Sequence, residues 1–131
     1  MLISACLLGI NCRFDGTNAF REDLIKRYSK EIFIPICPEQ LGGLPTPRPK
    51  AEISSENVID INNRDVTKEF KNGANEALKI AKLLNIKRAV LKEKSPSCGV
   101  NFVYKNGKLA DGMGITARLL QENGIEIEGV D

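Results

Sequence analysis

Three short apolar runs in this chain each end on a cysteine, and that repetition limits the folds open to it. Ala89-Val90-Leu91 leads through Lys92-Glu93-Lys94 into Ser95-Pro96-Ser97-Cys98-Gly99. Leu2-Ile3-Ser4-Ala5 leads into Cys6-Leu7-Leu8-Gly9, and Ile32-Phe33-Ile34-Pro35-Ile36 into Cys37-Pro38-Glu39. Short aliphatic and β-branched runs of this kind read as strands buried on both faces, as parallel strands are. Proline cannot donate to a sheet ladder and glycine accepts dihedrals that other residues resist, so the strands stop near their cysteines.

Between these runs the pattern changes to helical spacing. Arg21 to Ser29 predicts a modest helix with Leu24, Ile25 and Tyr28 on one face. Val66 to Leu84 predicts the longest one, its stripe formed by Val66, Phe70, Ala74, Ala77, Leu78, Ala81 and Leu84, with Asp65 as N-cap. Ile115 to Glu122 is a third, ended by Asn123-Gly124. Strands are expected over Glu31–Ile36, Arg88–Leu91 and Ile125–Glu128, with a short edge pairing over Ala51–Ile61. An Asn106-Gly107 turn between Phe102-Val103-Tyr104 and Leu109 marks a hairpin before the last helix. The prolines of Gly42 to Pro49 exclude regular structure and suit a fixed wall. Alternating strands and helices imply an α/β fold, a mainly parallel Rossmann-like sheet with helices on both faces and a small hairpin insertion. Such a sheet gathers its outgoing loops on one edge, where ligands bind, so Cys6, Cys37 and Cys98 are expected to converge there.

With 131 residues, a single domain spanning 1–131 is expected. A net charge of +2 without a Lys/Arg block gives no strong signal for nucleic acid, and no run is long enough to span a membrane. The first residues lack the basic region of a secretory signal, so a cytoplasmic setting is expected, where cysteines serve as thiols, ligands or redox groups. The chain has no histidine. A Cys-His pair, an imidazole base and a mixed Cys/His zinc site are thereby excluded.

Four thiolates with Cys12 as the fourth would suit a closed structural zinc site, although the paired Cys-x-x-Cys spacing usual there is missing. Three thiolates fit a [4Fe–4S] cubane with one iron lacking a protein ligand. A thiol redox protein using Cys6 and Cys12 is a third possibility.

Jointly, Ala5-Cys6-Leu7-Leu8-Gly9, Cys12-Arg13-Phe14-Asp15-Gly16, Cys37-Pro38-Glu39 with Gly42 to Arg48, Asp65-Val66-Thr67 and Lys92 to Gly99 resemble the thiouracil desulfidase (TudS-like) family, over nearly the whole chain and in the family's order. The resemblance implies an oxygen-sensitive [4Fe–4S] cluster held by Cys6, Cys37 and Cys98. It also implies hydrolytic removal of sulfur from a thiolated pyrimidine, as free base or nucleoside, with release of hydrosulfide and the open iron as a Lewis acid.

On that reading water needs a base, and without histidine a carboxylate supplies it; Glu39, two residues past a ligand, is the candidate. Ser95 can donate to a ring carbonyl or relay a proton, and Lys92 can steady charge on the leaving sulfur, with Glu93 as its pairing partner. Asp15 and Arg13 can bond the base or each other. Arg48 is a further substrate-binding candidate that can also pair with Glu52. Gly112-Met113-Gly114 leads into the last helix, whose first amides can face an anion or a carbonyl.

Overall fold

The computed structural model describes residues 1–131. Its first sheet is wholly parallel, made of β1 (Leu2–Ser4), β2 (Ile34–Ile36), β5 (Arg88–Lys92) and β8 (Glu126–Val130) in the order β2-β1-β5-β8. Alternation along the strands separates two apolar faces. Leu2, Ala89 and Leu91 point one way, onto Ala77 and Ala81 of α3 (Thr67–Leu83) and Ala117 and Leu120 of α4 (Ile115–Glu122). Ile3 and Val90 point the other way, onto Leu7 and onto Leu24 of α1 (Glu22–Arg27). Each large aliphatic side chain buried in this manner contributes roughly 1.5–3 kcal/mol. Helices on both faces of a parallel sheet are what the strand–helix alternation predicts.

Several element boundaries differ from expectation. β2 starts only at Ile34 because its neighbour β1 offers a partner from Leu2↔Ile34 onward. The first helix is two turns or less, from Glu22 to Arg27. The long helix begins at Thr67, one residue later than expected, so Asp65 stands two residues before it and accepts the Thr67 amide at 2.9 Å. The last strand slides to Glu126–Val130, where it pairs with the full length of β5.

The larger difference is a second four-stranded sheet. Its strands are β3 (Ala51–Ser54), β4 (Asn57–Asp60), β6 (Phe102–Lys105) and β7 (Lys108–Asp111), in the order β4-β3-β6-β7. Two antiparallel hairpins are joined through one parallel register pair, Ile53↔Lys105. Ile53, Val58 and Val103 pack on Val66 and Phe70, so the start of α3 carries the second sheet and its later turns carry the first.

In the first sheet the chain leaves β1 to one side for β2 and returns past it to β5. That reversal opens a crevice at the carboxyl ends of the strands. A four-residue helix, α2 (Pro38–Leu41), follows β2 at this edge and packs on α3.

Candidate metal centre and its cavity

A cavity of about 380 Å³ lies in that crevice, and all four cysteines line it. Each is a free thiol. Cys6 comes from the 3₁₀ turn Ala5–Leu8 that continues β1, a turn ended by Gly9 at φ +90°. Cys37 lies between β2 and α2, and its carbonyl accepts the Leu41 amide at 2.9 Å. Close packing holds α2 in place: a Cβ on Gly42 would stand 1.9 Å from the Glu69 carbonyl oxygen, and one on Gly73 1.8 Å from that of Pro38.

Cys98 sits in a loop folded onto α4. The Ser95 Oγ accepts the amides of Ser97 and Cys98 at 3.1 and 3.0 Å. The first amides of α4 are turned toward the same loop: Ile115 donates to the Pro96 carbonyl at 2.9 Å, and Thr116 to that of Ser97 at 2.9 Å. The helix terminus therefore faces carbonyls. Gly114 permits the approach, since a Cβ there would meet the Ser97 carbonyl at 2.4 Å.

The thiols share protons unequally. A hydrogen bond from Cys12 draws the Cys6 pKa below the ordinary thiol value, against the opposing effect of burial. Cys12 receives a hydrogen bond from Cys37, but its own donation to Cys6 and its burial raise it to about 11. Donation to Cys12, then burial, pushes Cys37 higher still. Burial pushes the Cys98 thiol up to about 12. Cys6 is thus the most readily ionised sulfur of the four.

The donor set is soft, which suits iron–sulfur clusters and zinc alike. No three cysteine and carboxylate side chains gather around a single ion position. Tetrahedral zinc with Zn–S bonds of about 2.3 Å would bring its thiolates within about 3.8 Å of one another. Cys6, Cys37 and Cys98, lining one cavity, are soft donors of the kind an iron–sulfur cluster takes.

Over residues 1–130 the sequence matches the family model described as 2-thiouracil desulfurase. The chain belongs to that family of enzymes. It is 37% identical over 140 residues to the uncharacterized protein YbbK of Bacillus subtilis (strain 168), covering 97% of this chain and 93% of that one. Among solved structures it resembles the [4Fe-4S]-dependent thiouracil desulfidase TudS, with a TM-score of 0.91, 40% identity, and coverage of 98% of this chain and 89% of the other.

Within this desulfurase-family fold, Arg13, Glu39, Arg48, Lys92 and Ser95 line the cavity beside the cysteines, and Asp15 does not. Asp15 instead accepts the Thr17 amide and hydroxyl at 3.1 and 2.6 Å, an Asx turn that occupies its carboxylate and leaves it without an ion pair to Arg13. Arg48 pairs with Glu39, Nε to Oε1 at 2.9 Å, with the two side chains 3% and 15% exposed. Its remaining bonds run to the carbonyls of Cys12 and Pro45 and to Thr46 Oγ1 at 2.8, 3.2 and 3.0 Å. Glu52, the alternative partner, turns to the Gly107 amide at 2.7 Å. Lys92 does not pair with the Glu93 carboxylate, because successive side chains at a strand end point to opposite sides. Its Nζ meets Asp131 Oδ1 at 3.1 Å, and Lys94 Nζ meets Oδ2 of the same carboxylate at 2.6 Å.

Sequence reasoning missed five lining residues, Phe14, Lys50, Lys94, Tyr104 and Asp131. Lys50 Nζ stands 5.0 Å from the centroid of the Tyr104 ring and 6.0 Å from that of Phe14. The Asn-Gly turn places Tyr104 in a hairpin, but only the β3–β6 pairing brings it beside the cavity. No helix of the chain is long and apolar enough to cross a membrane.

Proposed function

We propose that this protein is a desulfidase that converts a thiolated pyrimidine, free base or nucleoside, to its oxo form, with a [4Fe–4S] cluster held by Cys6, Cys37 and Cys98. The observation carrying this reading is the placement of three thiols at the outgoing ends of three neighbouring parallel strands around one cavity. Family membership and the likeness to a [4Fe-4S]-dependent thiouracil desulfidase support it. When bound, the cluster supplies an iron without a protein ligand, a soft Lewis acid suited to a thiocarbonyl sulfur. In the net reaction a C=S bond is replaced by C=O, water provides the oxygen, and hydrosulfide leaves with no electron transferred.

The chain's own residues divide the remaining work. Glu39 is the base. Arg48 fixes its Oε1, while Oε2 makes no hydrogen bond within the protein and is free to take the proton of water. Ser95 uses its oxygen as an acceptor for two amides, which orients the hydroxyl and leaves its proton for a ring carbonyl. Arg13 makes no side-chain hydrogen bond to the protein and faces the cavity as a donor for the substrate. Lys92, only 15% exposed, places positive charge where negative charge develops on the departing sulfur. Cys12 is outside the ligand set.

Anaerobically reconstituted protein given 2-thiouracil in ¹⁸O-labelled water should release one sulfide per uracil, with the label in the product. Protein loaded with iron and sulfide that leaves thiolated pyrimidines intact would overturn the reading.

A further inference from the structure

Glu93 is a buried carboxylate, 6% exposed, to which the reaction above gives no role. Its Oε1 accepts the amides of Val100, Asn101 and Phe102 at 2.8, 2.9 and 3.3 Å. Its Oε2 accepts the Asn101 amide at 3.2 Å and the Asn101 side-chain amide at 2.6 Å. Residue 93 leaves β5 and the donors occupy 100 to 102, so one carboxylate joins the two ends of the loop that carries Ser95 and Cys98. Two backbone bonds reinforce the junction, from the Glu93 amide to Val130 and from the Lys94 amide to Phe102, at 2.8 and 3.1 Å. The seat is also shaped from β8: a Cβ on Gly129 would stand 2.1 Å from Glu93 Oε2.

A protonated carboxyl would turn an O–H donor toward one of these N–H donors, so the surroundings are matched to the ionised form. Burial alone would raise its pKa, but the amides of Asn101, Val100 and Phe102 and the Asn101 side chain outweigh it and hold Glu93 below the ordinary carboxylate value. An ionised group taken out of water and surrounded by loop amides is costly to build unless the loop needs a fixed shape.

We propose that Glu93 is a positioning residue whose carboxylate closes the 94–99 loop and thereby aims Cys98 and Ser95 into the cavity. The inference rests on the reading of those two residues as part of the site. General reinforcement of the fold would instead protect all the thiols together.

The test uses metal-free, reduced protein and therefore stands apart from cluster loading and from desulfidation. Each cysteine is alkylated with iodoacetamide and its rate is followed by mass spectrometry. In Glu93→Gln an amide NH₂ is brought against the loop's N–H donors, and Cys98 should label at least about tenfold faster while Cys6 and Cys12 keep their wild-type rates. Gly129→Ala, which displaces the carboxylate from the other side, should give the same selective change and serves if Glu93→Gln does not fold. Unchanged Cys98 labelling in a folded variant would overturn the proposal, as would equal acceleration at all buried cysteines.

Discussion

Arg48 illustrates how a charged side chain lining a cavity can serve the protein before it serves a ligand. Four of its five N–H groups go to Glu39, Pro45, Thr46 and Cys12, which ties the loops after β1 and β2 to the proline segment. Removing it would leave a mostly buried carboxylate and the Pro45 carbonyl without donors, and the Cys12 carbonyl with only the Cys37 thiol. Arg48→Met should therefore lower unfolding free energy by about 3 kcal/mol in urea titration, the low end for a broken buried pair because Glu39 keeps some contact with water. Arg48→Lys should recover only part of it, since an ammonium cannot reproduce the planar fork. Glu93 allows a prediction with a definite direction. Its folded pKa lies below the unfolded value near 4.5, so it stabilises the fold fully above that value and loses the effect as pH falls through the folded pKa. The difference in melting temperature between wild type and Glu93→Gln should thus be large at neutral pH and vanish in acid.

At the level of elements, the contact between α2 and α3 decides where Glu39 stands. Gly73 lies inside a 17-residue helix, where alanine would be favoured by about 1 kcal/mol on propensity alone. The Pro38 carbonyl oxygen, 1.8 Å from where an alanine methyl would sit, reverses that preference. Gly73→Ala should accordingly lower the melting temperature despite the better helix former, and should reduce turnover more than it weakens substrate binding, because α2 carries Glu39. The strands ending on cysteines were legible in the sequence because parallel strands are apolar throughout and their loops are marked by Pro, Ser and Gly. α2 was not, since four residues opened by proline and closed by two glycines carry no helical period. Lys50 and Tyr104 were hidden for another reason. They reach the cavity through a single parallel register pair between distant hairpins, and no local pattern encodes such a pairing.

Across the whole molecule, the order β2-β1-β5 puts the cysteine-bearing ends side by side, and the helices behind them hold the strands by apolar packing, with Arg27 and Tyr28 adding polar contacts to Glu128 of β8. Cys6, Cys12 and Cys98 are themselves members of the buried apolar clusters beneath the cavity. Cys12 nevertheless stands apart from the other three. It comes from the loop after the 3₁₀ turn, beyond any strand end, and its carbonyl accepts from Cys37 Sγ at 3.7 Å and from Arg48 at 2.8 Å. Whether three strand-end thiols hold a cluster is decided by iron and acid-labile sulfide per chain after anaerobic reconstitution, in wild type, Cys98→Ser and Cys12→Ser. Brown protein with about four of each and a broad band near about 400 nm is expected, retained in Cys12→Ser and lost in Cys98→Ser. Colourless protein holding one zinc that disappears equally in both variants would contradict it.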